Sequence, residues 1–191
     1  MSGITAVGIF LTSLVFGILI FALWLRIALR LLRVSALSPL SQVVLSITDP
    51  IIKPLNSIFK LKYQPGQKYD WMAFAVLVLV EFLKIICLSM LAFHKLMPIG
   101  YIVLYVVADL IIQPSDLLFY AILIRVIMSY VKPDWQHPVA DFLKLLTQPL
   151  LILGRRIIPD ISGFDFSPFV IMVILKIITL FISAYLPWPL L

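Results

Sequence analysis

The sequence predicts an all-α integral membrane protein: four transmembrane helices from two parallel repeats, each repeat carrying a cytoplasmic amphipathic helix pair between its spans. Three observations lead there. The 191 residues are 63% hydrophobic and 13% charged, against roughly 45–50% and about 25% in soluble domains. Four apolar runs reach the roughly 20 residues that a bilayer-spanning helix needs, and the short remainder has no room for a soluble catalytic domain. Finally, the chain aligns with itself when one half is shifted onto the other.

The first span is expected over about residues 4–33. Its apolar run, Ile4 to Leu25, has no charge before it and is followed by Arg26, Arg30 and Arg33, so it reads as a retained anchor and not as a cleaved leader. That charge order places the N-terminus outside. The second span covers 71–93 and is interrupted by Glu81 and Lys84. The third covers about 101–131 and carries Asp109, Pro114, Asp116 and Arg125. Splitting it at Pro114 would give two pieces too short to cross, so one tilted or kinked helix is expected. The fourth, 168–186, is broken only by Lys176 and returns the C-terminus to the outside, with Trp188 at the interface. Basic residues gather in two stretches, one holding Arg26, Arg30, Arg33, Lys53, Lys60, Lys62 and Lys68, the other Arg125, Lys132, Lys144, Arg155 and Arg156. The net charge of +6 therefore marks cytoplasmic segments and not a nucleic-acid surface. Cys87 is the single cysteine and lies in an apolar run, which excludes a disulfide scaffold.

A shift of 99 residues aligns Arg26 with Arg125, Pro39 with Pro138, Thr48 with Thr147 and Pro50 with Pro149. After a four-residue difference in loop length, Asp70 falls on Asp165. Repeats of 1–93 and 94–191 each contain two spans, so they run the same way through the bilayer. Between the spans, 39–60 and 138–158 carry apolar residues at helical spacing among polar ones, too short and too polar to cross. Pro50 and Pro149 bias the preceding residue away from α geometry. Two short helices with a bend are therefore expected in each segment, Asp49 capping the second. They are expected on the cytoplasmic face, with Lys53, Lys144, Arg155 and Arg156 toward anionic headgroups; a re-entrant hairpin is the alternative.

Charges inside spans cost about 2.5–3.5 kcal/mol each, which singles out Glu81, Lys84, Asp109, Asp116 and Lys176 as an intramembrane network. Glu81 and Lys176 occupy equivalent depths in the two repeats. Such charges either pair and hold helices together or line a polar path for a cation or proton, and pairing is the expected role. Arg26 and Arg125, at the cytoplasmic helix ends, either snorkel or pair with Asp70 and Asp165. Those two aspartates are expected to cap the second and fourth spans. His137 and Asp141 have helical spacing but no further His or Cys near them, so no metal or other cofactor is expected. With no phosphate loop, zinc motif or nucleophile elbow, a non-enzymatic role is expected. The expected partners are anionic lipid headgroups and other membrane proteins or further copies of the chain, with no nucleic acid.

The run Thr48-Asp49-Pro50-Ile51-Ile52-Lys53-Pro54-Leu55, its counterpart Thr147-Gln148-Pro149-Leu150-Leu151, and Arg155-Arg156-Ile157-Ile158-Pro159 followed by Gly163-Phe164-Asp165-Phe166-Ser167-Pro168 carry a family likeness. Together with Leu25-Arg26-Ile27 and Ile124-Arg125-Val126, they resemble the YggT family of bacterial inner-membrane proteins, whose plant relatives are the YlmG-type chloroplast proteins. The likeness covers nearly the whole chain. It departs at Asn56-Ser57, where the family usually repeats the arginine pair, and at Gly154, where a branched residue is usual. The resemblance implies links to osmotic-stress tolerance with potassium uptake, to cell-division gene neighbourhoods and, in plastids, to membrane organisation and cytochrome complex assembly. It implies no defined reaction and no catalytic residues. Two functions follow as expectations: organising assembly at the cytoplasmic membrane face, and, as the alternative, a small transport component for cation homeostasis under osmotic stress.

Overall fold

Prolines and capping side chains set the helix starts. Ser38 Oγ accepts the Ser41 N–H at 3.2 Å just before Pro39, and His137 Nδ1 accepts the Val139 N–H at 3.2 Å just before Pro138. A proline at the first helical position gives up an N–H that has no helical acceptor there. The computed structural model describes residues 3–58, 69–131, 137–157 and 165–187. Six helices form among these: α1 Gly3–Leu31, α2 Pro39–Ile58, α3 Trp71–Phe93, α4 Ile99–Val131, α5 Pro138–Ile157 and α6 Ser167–Ala184. Four of them, α1, α3, α4 and α6, are long and apolar enough to cross a membrane. Trp188, the basic residues Lys60, Lys62, Lys68 and Lys132, and the motif residues Ile158, Pro159, Gly163 and Phe164 lie outside the described residues.

Two helix ends, those of α1 and α3, are closed by left-handed residues that are not glycine. After α1, Arg33 takes φ 55° and the Val34 N–H reaches back to Leu29 O at 2.9 Å. After α3, His94 takes φ 52° and its N–H bonds Met90 O at 3.1 Å. Both satisfy carbonyls that a helix end leaves without partners.

The connections differ from the expected bent pairs. Each is one uninterrupted helix of 20 residues, α2 holding Pro50 and Pro54 inside it and α5 holding Pro149. An interior proline costs about 3 kcal/mol and a helical hydrogen bond. Contacts made by the residues just before it offset that cost: Thr48 and Asp49 are bound by Arg26, and Thr147 and Gln148 by Arg125. Asp49 accordingly caps no second helix. In α4, Pro114 is likewise carried within a single helix of 33 residues.

The chain packs as two units, one built from residues up to Leu110 and one from Ile111 to Pro187. In the first, α1 packs on α3 and α2, and the core is Leu23, Ile52, Ala73, Val76 and Leu77, with Leu110 of α4 against it. In the second, Ile122 of α4, Leu151 of α5, and Ile171 and Leu175 of α6 form the core. Gly154 sets the spacing of α5 on α6, because a Cβ there would lie 3.0 Å from both Ile171 Cγ1 and Ser167 Cβ. A side chain at this position would require Ile171 or Ser167 to shift. Outward faces carry large apolar side chains, including Phe10, Val15 and Phe21 on α1 and Phe169, Leu180 and Phe181 on α6. Continuous apolar surface of this kind suits lipid contact.

Candidate functional site

Helical periodicity gives α2 and α5 the same buried stripe. Ser41, Val44, Thr48 and Ile52 turn inward on α2, and Ala140, Leu143, Thr147 and Leu151 on α5. The threonines at the centre are fully enclosed. Each hydroxyl donates to the carbonyl one turn back, Thr48 to Val44 O at 2.8 Å and Thr147 to Leu143 O at 2.7 Å. That leaves the oxygen lone pairs for an outside donor, and in both units an arginine supplies it.

In the first unit the arginine is Arg26 of α1. Its Nη1 donates to Thr48 Oγ1 at 2.8 Å and to Asp49 Oδ1 at 2.6 Å, and its Nε donates to Asp70 Oδ2 at 3.2 Å. Arg30, one turn on, meets the same Asp70 oxygen at 2.9 Å, and Lys53 meets Asp49 Oδ2 at 2.8 Å. Asp70 also caps α3, its Oδ1 accepting the Ala73 N–H at 3.1 Å. One guanidinium therefore ties α1 to α2 and to the start of α3. Beside it opens a cavity of about 200 Å³ lined by Arg26, Arg30, Ser41 and Asp70 together with apolar groups.

In the second unit Arg125 of α4 donates to Thr147 Oγ1 at 2.8 Å, to Gln148 Oε1 at 3.0 Å and to Lys144 O at 3.4 Å. The separations along the chain, 22 and 23 residues, equal those from Arg26 to Thr48 and Asp49. Of the two alternatives for Arg125, pairing with Asp165 gives no ion pair. Arg155 takes Asp165 instead, at 2.7 and 2.9 Å, because a residue close along the chain closes the contact at lower entropic cost. Asp165 Oδ1 accepts the Ser167 N–H at 2.9 Å, while the residue bounding α6 is Phe166, which makes no side-chain cap. Lys144 and Arg156 are exposed.

The charges within the apolar helices sort into two groups. Lys84 Nζ lies 2.6 Å from Asp109 Oδ2 and 2.9 Å from Glu81 Oε2, and all three residues are at most 3% exposed. The Asp109 contact is an aligned hydrogen bond; the Glu81 contact is ionic proximity one turn away on α3. Lys176 meets Asp116 at 3.3 Å and lies 5.6 Å from the Phe119 ring centre. Asp109 and Asp116, seven residues apart on α4, thus serve different lysines.

Three aspartates, Asp70 and Asp165 at helix starts and Asp49 within α2, share an electrostatic signature. Burial pulls Asp70 upward, but the Ala73 N–H and the Arg30 and Arg26 guanidiniums outweigh it and hold the carboxyl below its ordinary value of 3.8. Burial is likewise outweighed at Asp49 by Lys53 and Arg26, and at Asp165 by Ser167 and Arg155. A carboxyl depressed in the folded state stabilises the fold above its unfolded pKa, and that stability is lost as pH falls through the folded value. Thermal stability in detergent is expected to hold down to about pH 4 and to fall below it. Asp70→Asn should flatten that acid slope; an unchanged slope would refute the assignment.

Sequence reasoning missed two members of the first cluster, reading Arg30 as a cytoplasmic charge and Asp49 as a cap. The signal was present: Arg26 and Arg30 share a helix face at i, i+4, and Asp49 adjoins the threonine that Arg26 binds.

Four helices of this length and apolarity, with arginine and lysine contacts inside each unit, are compatible with a multi-pass α-helical membrane protein. The chain matches the CCB3/YggT family over residues 5–91 and 101–186, and it belongs to that family. It is 30% identical to the uncharacterised protein YggT of Escherichia coli K12, over 93% of this chain and 89% of that one. It is 27% identical to an uncharacterised protein of Pseudomonas aeruginosa, over 95% and 91% of the two chains. An uncharacterised Vibrio alginolyticus protein, named for the region 3′ of proC, is 31% identical over 86% of each. No solved structure matches the chain.

Proposed function

We propose that this chain is a non-enzymatic, multi-pass protein of the bacterial inner membrane with both termini outside, and that it organises or supports assembly at the cytoplasmic face. On this reading α2 and α5 are amphipathic helices lying at that face, repeated by internal duplication. The supporting observation is that five charges along the apolar helices meet opposite charges within their own unit: Lys84 with Glu81 and Asp109, Lys176 with Asp116. Charges so engaged serve helix packing. The outward sides of α2 and α5, with Val43, Lys53, Lys144 and Arg156 exposed, remain for lipid and partner proteins. A second reading, a small transport component aiding potassium or other cation homeostasis under osmotic stress, draws on one specific feature: two carboxylates share the single Lys84 ammonium.

Complementation separates the two. Cells lacking the gene would carry Glu81→Gln or the pair Lys144→Glu and Arg156→Glu, with membrane abundance checked, and be challenged osmotically. The organising role expects the surface pair to lose tolerance and Glu81→Gln to keep it. The opposite pattern would overturn it in favour of transport.

A further inference from the structure

The two arginine sites share a layout and differ in charge. Arg26 contacts two carboxylates, Asp49 and Asp70. Arg125 contacts a hydroxyl, an amide oxygen and a backbone carbonyl, and among the described residues no carboxylate lies within ion-pair distance of it. The difference comes from two places, the first being that Gln148 stands after Thr147 where Asp49 stands after Thr48. Asp165, the other candidate, is held by Arg155.

A guanidinium offers five N–H donors. Three acceptors are bound to Arg125, and every one is neutral; Asp165, held by Arg155, acts on it only through space, so Arg125 makes no direct ion pair among the described residues. Arg125 lies six residues before the end of α4, about 9 Å along the helix axis. With α4 crossing a bilayer, that is the depth of the phosphate layer, which begins just outside a hydrocarbon core about 30 Å thick. The side chain is half-buried, and the exposed cations Lys144 and Arg156 of α5 stand on the same unit. Arginine's planar fork suits phosphate oxygens bidentately.

We propose that Arg125 binds the phosphate of an anionic phospholipid headgroup, and that Arg26, its charge already met by Asp49 and Asp70, does not. The second unit is thereby the lipid-selective half of the protein. Headgroups that carry their own ammonium are disfavoured by the neighbouring cations, so the site discriminates by net headgroup charge as well as by phosphate. The inference rests on the reading that α4 spans the membrane, and it deepens that reading by naming a ligand class.

The test uses the full-length protein in detergent, titrated separately with phosphatidylglycerol, phosphatidylcholine and inorganic phosphate, with thermal stabilisation and lipid adducts in native mass spectrometry as readouts. Phosphatidylglycerol is expected to stabilise and to form adducts; the other two probes are not. Gln148→Asp is the informative variant, because it gives Arg125 the internal carboxylate that Arg26 has and so is expected to fold at least as well as the parent. It should nevertheless weaken phosphatidylglycerol binding about tenfold, as should Arg125→Gln. Undiminished binding in Gln148→Asp, or equal response to phosphatidylcholine, would overturn the site. An equal response to inorganic phosphate would overturn the lipid assignment. Cysteine labelling of the same preparations in vesicles keeps the outcomes apart: a topology without a membrane-spanning α4 sinks the underlying reading, whereas a correct topology with charge-blind lipid binding sinks this one alone.

Discussion

Lys84→Met is expected to destabilise the protein by about 3–5 kcal/mol, the usual cost of removing one partner from a buried ion pair. The reason is geometric. Lys84 Nζ is the cation between Glu81 and Asp109, at 2.9 and 2.6 Å, and neither acid is more than 1% exposed. Glu81→Gln alone leaves Asp109 with its lysine, and Asp109→Asn alone leaves Glu81 with it, so each single change is expected to cost only about 1–2 kcal/mol. The double variant Glu81→Gln with Asp109→Asn isolates the Lys84 ammonium in apolar surroundings. Its cost should exceed the sum of the two singles by more than 1 kcal/mol or so, a coupling that a double-mutant cycle on thermal stability in lipid or detergent measures directly. Simple additivity would show that the two carboxylates do not share Lys84. Pairing of Glu81 with Lys176, the arrangement suggested by equivalent depth in the two repeats, predicts a different cycle. The structure gives Lys176 to Asp116, so Lys176→Met should couple to Asp116→Asn.

The four long helices were legible because an apolar run of sufficient length reports itself through composition alone, and α3 starts and ends at the residues its hydrophobic run suggests. What local rules could not supply was the outcome of competition. Proline chemistry argued for a break at Pro50 and Pro149, and it lost to side-chain contacts made across the fold by Thr48, Asp49, Thr147 and Gln148. Periodicity shows which face of a helix a charge occupies but not which neighbour that face meets, since the neighbour depends on rotation and crossing of the second helix. Hence Asp109 and Asp116, on one face of α4 by spacing, go to different lysines, and Asp165 goes to Arg155 and not to Arg125. Alignment of the halves made Arg26 and Arg125 look alike. Reading the residue after each threonine, Asp49 or Gln148, was the step that would have separated them.

That difference sets the second large effect. Arg26→Ala should destabilise by about 2–3 kcal/mol, because it removes charge-assisted hydrogen bonds to Asp49 and Asp70, which keep Lys53 and Arg30, and opens the junction of α1, α2 and the α3 cap at once. Arg125→Ala removes hydrogen bonds to neutral acceptors and strands no buried charge, so its cost should stay near 1–2 kcal/mol. Arg26→Lys should recover only part of the loss, since one ammonium on a flexible stem does not reproduce the fork that reaches Thr48, Asp49 and Asp70 together. Adding Asp70→Asn to Arg26→Ala is expected to lower stability further, because Asp70 still pairs with Arg30 and caps α3. Thermal or denaturant unfolding in mixed micelles would read all four variants. Equal losses from Arg26→Ala and Arg125→Ala would mean that the carboxylates add nothing at the first site, and the contrast drawn between the two arginines would fail with them.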